Sequence, residues 1–261
     1  GDVYKRQLSD DKAKVVSYPS NPTNKIGDGV LYKGYTVGDI WGYVTGGILQ
    51  EGDFDGVGAN GKPLYHGPYF KGGQAYPGYI WYQDLDHDGV ITTGLNTVDD
   101  PGDRKVIGNN APLYRYNITA NFQYKGFDLD LMFQGVGKRD YWLSSTSSYW
   151  GNGAGSWEVY NNSWTPERTD AKFPMYGSGT GSYPQTGYLL DASYIKLKQV
   201  ILGYTFPRAL INKIGLEKLR LNLAAYNLFT ISDMPKYYDA DYLSDAYPPK
   251  RTFSVGIQVG F

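Results

Sequence analysis

Residues 251–261 alternate without a break. Phe253, Val255, Ile257, Val259 and Phe261 fall on one side of an extended chain, and Thr252, Ser254, Gly256, Gln258 and Gly260 on the other. Side chains of a strand point to opposite faces in turn, so one face here is apolar and the other small or polar. Two surroundings satisfy such a strand. In a transmembrane β-barrel the apolar face meets lipid, the polar face meets the lumen, and an aromatic residue marks the interface. In a soluble β-sandwich the apolar face is buried under a second sheet.

The chain of 261 residues is long enough for one large β domain or two small ones. Its 26 Tyr, 34 Gly and 14 Pro punctuate it as strands and turns rather than helices. No run approaches the ~20 apolar residues of a membrane helix. That leaves a barrel open, because barrel strands are apolar only at alternate positions. A net charge of −1 carries no electrostatic footprint for nucleic acid. The absence of Cys removes disulfides, thiol catalysis and Cys-bound zinc. The two histidines, His66 and His87, are isolated. Residues 1–7 (GDVYKRQ) lack the apolar core of a signal peptide and read as foreign sequence. Residues 8–36 read as a loop or strand remnant ahead of the main segment, 37–261.

Residues 113–124 repeat the alternation. Tyr114, Tyr116, Ile118, Ala120, Phe122 and Tyr124 share one face; Arg115, Asn117, Thr119, Asn121 and Gln123 share the other. Lys125-Gly126 is a two-residue turn signal. The returning strand sends Phe127, Leu129, Leu131 and Phe133 outward and Asp128, Asp130, Met132 and Gln134 inward. Eleven residues at ~3.3 Å each, tilted ~45°, rise about 26 Å, close to the ~25 Å apolar band of a membrane barrel. Sandwich strands are typically ~5–6 residues. In 193–206, Val200, Leu202, Tyr204 and Phe206 are in phase while Ile195 and Leu197 are not, which predicts a bulge or an interior contact. In 216–230, Leu219, Leu221, Leu223 and Ala225 oppose Arg220, Asn222 and Ala224. A weaker, Gly-rich strand is predicted at 37–49. Residues 208–214, between Pro207 and Gly215, read as one or two helical turns.

The connections alternate in length. Those at 125–126 and 207–215 are short; those at about 51–112, 135–192 and 231–250 are long. Short turns at one end and long loops at the other are the asymmetry of an outer-membrane barrel. Five or six strands do not close one, since the smallest have eight, and an open sheet leaves edge N–H and C=O groups unpaired in lipid. The chain is therefore expected to be part of a larger barrel, or not a membrane barrel at all.

Three constellations could carry chemistry. Asp84, Asp86 and Asp88, followed by Gly89, have the D-x-D-x-D-G spacing of a calcium loop, to which the Val90 carbonyl adds an oxygen. Two carboxylates ~4 Å apart repel by up to about 4 kcal/mol at an effective dielectric of 20, so either a cation binds or the side chains splay into water. The twelfth position is Leu95, not Glu; Asp99, Asp100 or Asp103 could return a late ligand for a structural Ca²⁺. The loop at 135–192 carries Tyr141, Trp142, Tyr149, Trp150, Trp157, Tyr160 and Trp164 among Ser, Asn and Gly. Such rings either stack on sugars, with Tyr149, Trp150, Trp157 and Trp164 as the candidate contacts, or pack the loop's own core. Glu158 with Glu167 or Asp170 makes no spacing that selects a glycosidase pair, and no enzyme is expected.

Several blocks in order resemble the C-terminal part of SusC/RagA-type TonB-dependent outer-membrane transporters of Bacteroidetes. They are VGDIWGY (37–43), GYIWYQDLDHDGVI (78–91) followed by DRKVIGN (103–109), YKGFDL (124–129), FQG (133–135), WTPE (164–167), SYIKLK (193–198) with LGYTFP (202–207), YNLFT (226–230) and PKRTFS (249–254). The resemblance covers roughly 29–261. The sequence departs from the family pattern in the insertion after Ile91 and in lacking an aligned late acid in the Asp loop. The resemblance implies an all-β, antiparallel up-and-down transmembrane barrel of 22 strands, of which five or six are present here with their long extracellular loops. It implies an N-terminal plug, a SusD-like surface lipoprotein as partner, and import of oligosaccharides, or peptides in some members, driven by TonB–ExbB–ExbD. Arg115, Asn117, Asn121, Asp128, Asp130, Arg220 and Asn222 would line the lumen. Phe253, Val255, Ile257, Val259 and Phe261 would be read by the barrel-assembly machinery. The rival expectation is a secreted, Ca²⁺-stabilised β-sandwich that binds polysaccharide.

Overall fold

A computed structural model describes residues 3–27, 29–143, 157–236, 238–243 and 249–261. In chain order its strands are β1 (Val3–Ser9), β2 (Asp39–Tyr43), β3 (Thr45–Ile48), β4 (Phe54–Val57), β5 (Pro63–Tyr65), β6 (Tyr69–Phe70), β7 (Ile80–Tyr82), β8 (Val90–Ile91), β9 (Arg104–Asn109), β10 (Leu113–Tyr124), β11 (Phe127–Lys138), β12 (Asp140–Tyr141), β13 (Leu190–Asp191), β14 (Tyr194–Thr205), β15 (Lys218–Ile231) and β16 (Thr252–Gly260). Short helices are α1 (Trp157–Asn161) and α2 (Arg208–Ile211). The chain forms two compact units. Unit 1 contains Gly1–Lys12, Pro112–Arg139 and Asp191–Phe261; unit 2 contains Ala13–Ala111 and Asp140–Leu190.

Unit 1 is an antiparallel sheet in the order β1-β10-β11-β14-β15-β16. Apart from β1, each strand pairs with its successor within the unit, as an up-and-down meander requires. The register carries the alternation across the sheet. Phe122 faces Leu129, Leu129 faces Leu202, Leu202 faces Leu223, and Leu223 faces Val255. Opposite them, Asn121 faces Asp130, Asp130 faces Ile201, and Ile201 faces Ala224. The phase break expected near Leu197 is a bulge: Phe133 pairs with Leu197 and Met132 with Gln199, leaving Lys198 unpaired in the ladder. The turn at Lys125-Gly126 takes positive φ at both residues (46° and 89°), the backbone that a two-residue hairpin turn requires. The predicted helical turns are α2 and a following 3₁₀ turn, ended by Gly215 at φ 75°.

The apolar face of this sheet is uncovered. Phe253, Val255, Ile257, Val259 and Phe261 are all exposed, Val255 at 75 % and Phe261 at 88 %. Tyr124, Phe127, Leu202, Leu221, Leu223 and Phe229 join them. A sandwich would bury this face under a second sheet; within unit 1, none of the described residues covers it.

The sixth strand of the sheet is not the predicted one. β1 pairs with β10 from Val3 opposite Asn121 to Ser9 opposite Arg115. It includes five of the residues that read as foreign, and the pairing does not bear on their origin, because an open sheet edge accepts any extended segment through main-chain bonds. The stretch 37–49 is instead split into β2, which pairs with β9, and β3, which pairs with β7, both in unit 2. Its glycines explain the split. A Cβ at Gly46 would lie 2.3 Å from the Trp81 ring, and one at Gly42 2.5 Å from the Pro184 carbonyl oxygen, so these positions serve close approach rather than a long strand.

Unit 2 builds a core of its own from segments expected to be loops. Tyr43, Ile80, Tyr82 and Ile91 are buried together, with Phe70 and Tyr188 against them. Burial pushes the Tyr82 hydroxyl well above the usual tyrosine range, so the ring stays neutral. Gln185, fully buried, ties 140–190 into this core: its amide donates to the Tyr82 hydroxyl (3.0 Å) and the Tyr183 carbonyl (3.1 Å) and accepts from Thr45 Oγ1 (3.0 Å).

On the polar face of unit 1, Arg220 donates twice to Asp128, at 2.5 and 2.6 Å. The two lie on β15 and β11, and the pair spans β14 directly over Gly203. A Cβ there would stand 2.3 Å from Arg220 Nη2 and 2.5 Å from Asp128 Oδ2. Gly203→Ala is therefore expected to cost about 1–2 kcal/mol by parting a charge-assisted bidentate pair. Urea unfolding of the full-length protein in liposomes checks it, and the same change should cost little more when Arg220→Ala is already present.

Candidate functional site

All seven residues singled out as lumen-lining lie on the polar face of the sheet. Asp128 and Arg220 form the pair just described. Asn121 donates to Asp130 on the neighbouring strand. Asn222 stands opposite Gly256, where a Cβ would lie 2.4 Å from its amide oxygen. Arg115 pairs with Asp11 at 2.6 Å, both side chains exposed. Asn117 Oδ1 is buried and, among the described residues, has no hydrogen-bond partner.

Above these residues a strap from the long β15–β16 connection is fastened to β14. Lys196 is 1 % exposed. Its Nζ donates to both Asp239 oxygens at 3.1 and 2.9 Å and stands 3.5 Å from Asp241. Lys198, brought within reach by the bulge, donates to Asp241 at 2.8 Å, and the Tyr194 hydroxyl donates to the same carboxylate at 2.7 Å. The Tyr242 ring lies near both ammonium groups, at 5.7 and 6.0 Å. Burial would raise the Asp241 carboxyl, but the hydrogen bonds from Lys198 and Tyr194 and the two lysine charges outweigh it and hold it below the usual carboxylate range.

In unit 2, ligand oxygens of Asp84, Asp86 and Asp88 lie within 4.8 Å of one another. The loop closes on itself through Asx turns. Asp84 accepts from the His87 and Gly89 N–H groups (2.7 and 2.8 Å), Asp86 from Asp88 (3.2 Å) and Asp88 from Val90 (2.8 Å). Desolvation raises the Asp84 carboxyl, but the hydrogen bonds it accepts together outweigh that and lower it; Asp86 accepts a bond from Asp88 that lowers it, yet desolvation and the negative charges of Asp103 and Asp88 leave it raised. Each carboxylate oxygen has two lone pairs, so the donor set still fits a hard cation. Asp103 does something else. It is completely buried, and its oxygens accept the N–H groups of Leu85 (2.8 Å) and Thr92 (2.7 Å). It clamps the two ends of the Asp loop instead of joining the three carboxylates.

The aromatic candidates part company. Trp164 is 3 % exposed and its Nε1 donates to Gln50 Oε1 at 2.9 Å; it anchors unit 2. Trp157 is 77 % exposed on α1, edge-on to Tyr160, which is edge-on to Tyr176. Tyr149 and Trp150 lie outside the described residues. Sequence reasoning missed the strap partners Asp239 and Asp241. The only signal was the phase break at 195–198, which placed two lysines where a lipid-facing strand would not.

No protein-family model matches the sequence. The chain is 30 % identical over 249 residues to TonB-dependent receptor P3 of Formosa agariphila, covering 89 % of this chain and 23 % of that receptor. It is 28 % identical over 199 residues to TonB-dependent receptor P26 of the same organism, covering 69 % and 19 %. Its fold matches part of the RagAB peptide transporter with a TM-score of 0.56 at 18 % identity, covering 96 % of this chain and 25 % of that one. The RagAB peptide importer in its open-open state gives 0.56 at 20 %, covering 88 % and 23 %. The chain belongs to the TonB-dependent receptors. This receptor segment spans about a quarter of the length of the curated relatives it matches. Those relatives are receptors, not enzymes. No helix among its described residues is long and apolar enough to cross a membrane, which says nothing of strands.

Lys196→Met in the full-length receptor leaves Asp239 without its buried cation and should release the strap. Amide exchange of 238–243 is expected to speed up roughly a hundredfold, the equivalent of about 3 kcal/mol. With an unfolded Asp value near ~3.9 and a lower folded one, the Asp241 contribution should be full above about pH 4 and lost as pH falls through the folded value. Exchange measured down the pH scale checks this.

Proposed function

We propose that this chain supplies part of the barrel wall and the external loops of a TonB-dependent outer-membrane importer of glycans, acting with a SusD-like lipoprotein and driven by TonB–ExbB–ExbD. The observation that carries the reading is the uncovered apolar face running from Phe122 to Val255. About a dozen exposed Phe, Leu, Val, Ile and Tyr side chains in one contiguous face have no place in water. Against lipid they need no cover, while the Asn, Asp and Arg groups behind them suit a wet lumen. The same face argues against the secreted sandwich. The exposed Trp157–Tyr160–Tyr176 row supports a glycan as cargo, since aromatic faces stack on sugar rings. The fold neighbours named above are peptide importers, so a peptide is the second reading of the cargo.

The test is fractionation of cells that make the full-length receptor. It should be found in the outer membrane, and Phe261→Asp should lower its level there several-fold by placing a charge on the terminal lipid-facing position. Unchanged levels would remove the assembly role, and a periplasmic or secreted protein would remove the importer.

The Asp84–Asp86–Asp88 loop is proposed to hold a structural Ca²⁺ that offsets the mutual repulsion of three carboxylates. Calcium added to chelator-treated receptor is expected to slow proteolysis within 84–103. Asp86→Asn should weaken that effect at least tenfold, and equal proteolysis with and without calcium would remove the ion.

A further inference from the structure

β2 and β9 of unit 2 border a cavity of about 600 Å³, within the ~300–1,000 Å³ of small-ligand sites. Tyr35, Trp41, Tyr43 and Tyr183 wall it, and Asp39 and Arg104 line it as charged groups. Register places Tyr43 opposite Arg104 and Asp39 opposite Asn109. The two charges are thus separated along the ladder by about five residues, roughly 16 Å at ~3.3 Å each, at opposite ends of the cavity.

Arg104 is the informative group. It is half-buried, and its side chain is held by three neutral acceptors. Nε donates to the Pro101 carbonyl (3.2 Å), and Nη2 to the Thr93 carbonyl (3.0 Å) and Asn96 Oδ1 (2.7 Å). Among the described residues no carboxylate pairs with it, and Nη1 has no protein acceptor. The adjacent Asp103 is committed to Leu85 and Thr92. Burial lowers the Arg104 pKa, with only the Tyr43 hydroxyl opposing, as expected of a cation without a counter-charge. A fixed, partly desolvated guanidinium whose Nη1 still has its N–H groups to donate is a receptor for an oxygen of a carboxylate or sulfate. At the other end, Asp39 Oδ1 accepts from Asn109 Nδ2 (2.9 Å) and Oδ2 from the Thr36 N–H (3.2 Å). Each oxygen keeps a lone pair for a hydroxyl donor. Between them the Trp41 ring is pinned by its Nε1–H bond to the Tyr32 hydroxyl (2.8 Å), so an aromatic surface is preformed.

We propose that this cavity is a subsite for an acidic oligosaccharide, whose carboxylate or sulfate pairs with Arg104 while its rings lie on the aromatic wall and its hydroxyls donate to Asp39. This deepens the importer reading and rests on it for the substrate class. An acidic peptide would satisfy Arg104 but would set its remaining carboxylates against Asp39, which disfavours it.

The test is calorimetric titration of the purified full-length receptor with four probes of similar length: a uronate oligosaccharide, a sulfated one, a neutral one and an acidic peptide. The receptor is expected to bind one or both acidic oligosaccharides at least tenfold more tightly than the neutral one, and the two acidic arms tell carboxylate from sulfate. Arg104→Gln should abolish that preference. Arg104→Lys, which keeps the charge, should retain most of it, separating loss of charge from a disturbed 93–96 loop. Raising the salt should shrink the preference. Equal binding of acidic and neutral sugars, an undiminished preference in Arg104→Gln, or binding of the peptide alone would overturn the proposal. Fractionation reads the importer separately: a receptor in the outer membrane that prefers neutral sugar removes the subsite and leaves the importer standing.

Discussion

Lipid accepts apolar side chains but not unpaired backbone, and water accepts the reverse. Unit 1 is a sheet that meets only half of each condition. One face is a continuous field of aromatic and branched side chains, which water would not leave bare. Its outer strands have main-chain groups that lipid would not leave unpaired. The two demands are met together only when such a sheet continues into further strands. The 23 % of a TonB-dependent receptor that the chain covers is what that requirement leads one to expect. Strand length follows from the same constraint: 12 residues in β10, β11 and β14 and 14 in β15 are more than a sandwich layer needs and about what a tilted membrane wall needs.

The polar face pays for its charges locally. Asp128 and Arg220 meet across a strand because Gly203 has no side chain between them. Lys196 is buried only because two carboxylates of the strap come to it. Replacing one member of either set leaves its partner without its counter-charge, most costly at the fully buried Lys196, so these groups are coupled in a way that single contacts on an exposed sheet are not. The bulge at Lys198 serves this arrangement. One extra residue shifts the phase, so that Lys196 and Lys198 reach Asp239 and Asp241 while Val200 and Leu202 return to the apolar face.

What could be read from the sequence was whatever obeys period two over many residues. β10, β14, β15 and β16 were legible to within a residue or two, down to the phase break before Val200, while β11 runs on to Lys138, four residues into the stretch expected to be loop. Unit 2 was not. Its strands run from two to six residues between glycines, and segments that short carry too few alternate positions to be told from loops. The aromatic residues misled for a related reason. Composition marks Trp157 and Trp164 alike, yet one lies open and the other is bonded to Gln50 114 positions away, a pairing no local pattern encodes. Asp103 was rightly tied to the Asp loop by proximity in sequence, but its burial turned a supposed ligand into a clamp on the backbone of Leu85 and Thr92.

Under the proposed function unit 2 belongs to the external loops, and its core then bears on how such loops recognise a ligand. Free loops of 50 or more residues would lose conformational entropy on each binding event, of order 1–2 kcal/mol for each residue fixed. Here that ordering is done in advance. Gln185 is fixed against Tyr82 and Thr45, Trp41 against Tyr32, and Arg104 against Thr93 and Asn96. A guanidinium so held keeps its charge directed without reorganising, and preorganisation of this kind lets a few polar groups discriminate. A mobile loop could present the same arginine, but solvent and neighbouring carboxylates would then compete for it. The neutral character of its three acceptors is therefore the telling feature: a residue whose task was only to brace the fold would be served as well by a carboxylate partner, and Arg104 has none among the described residues.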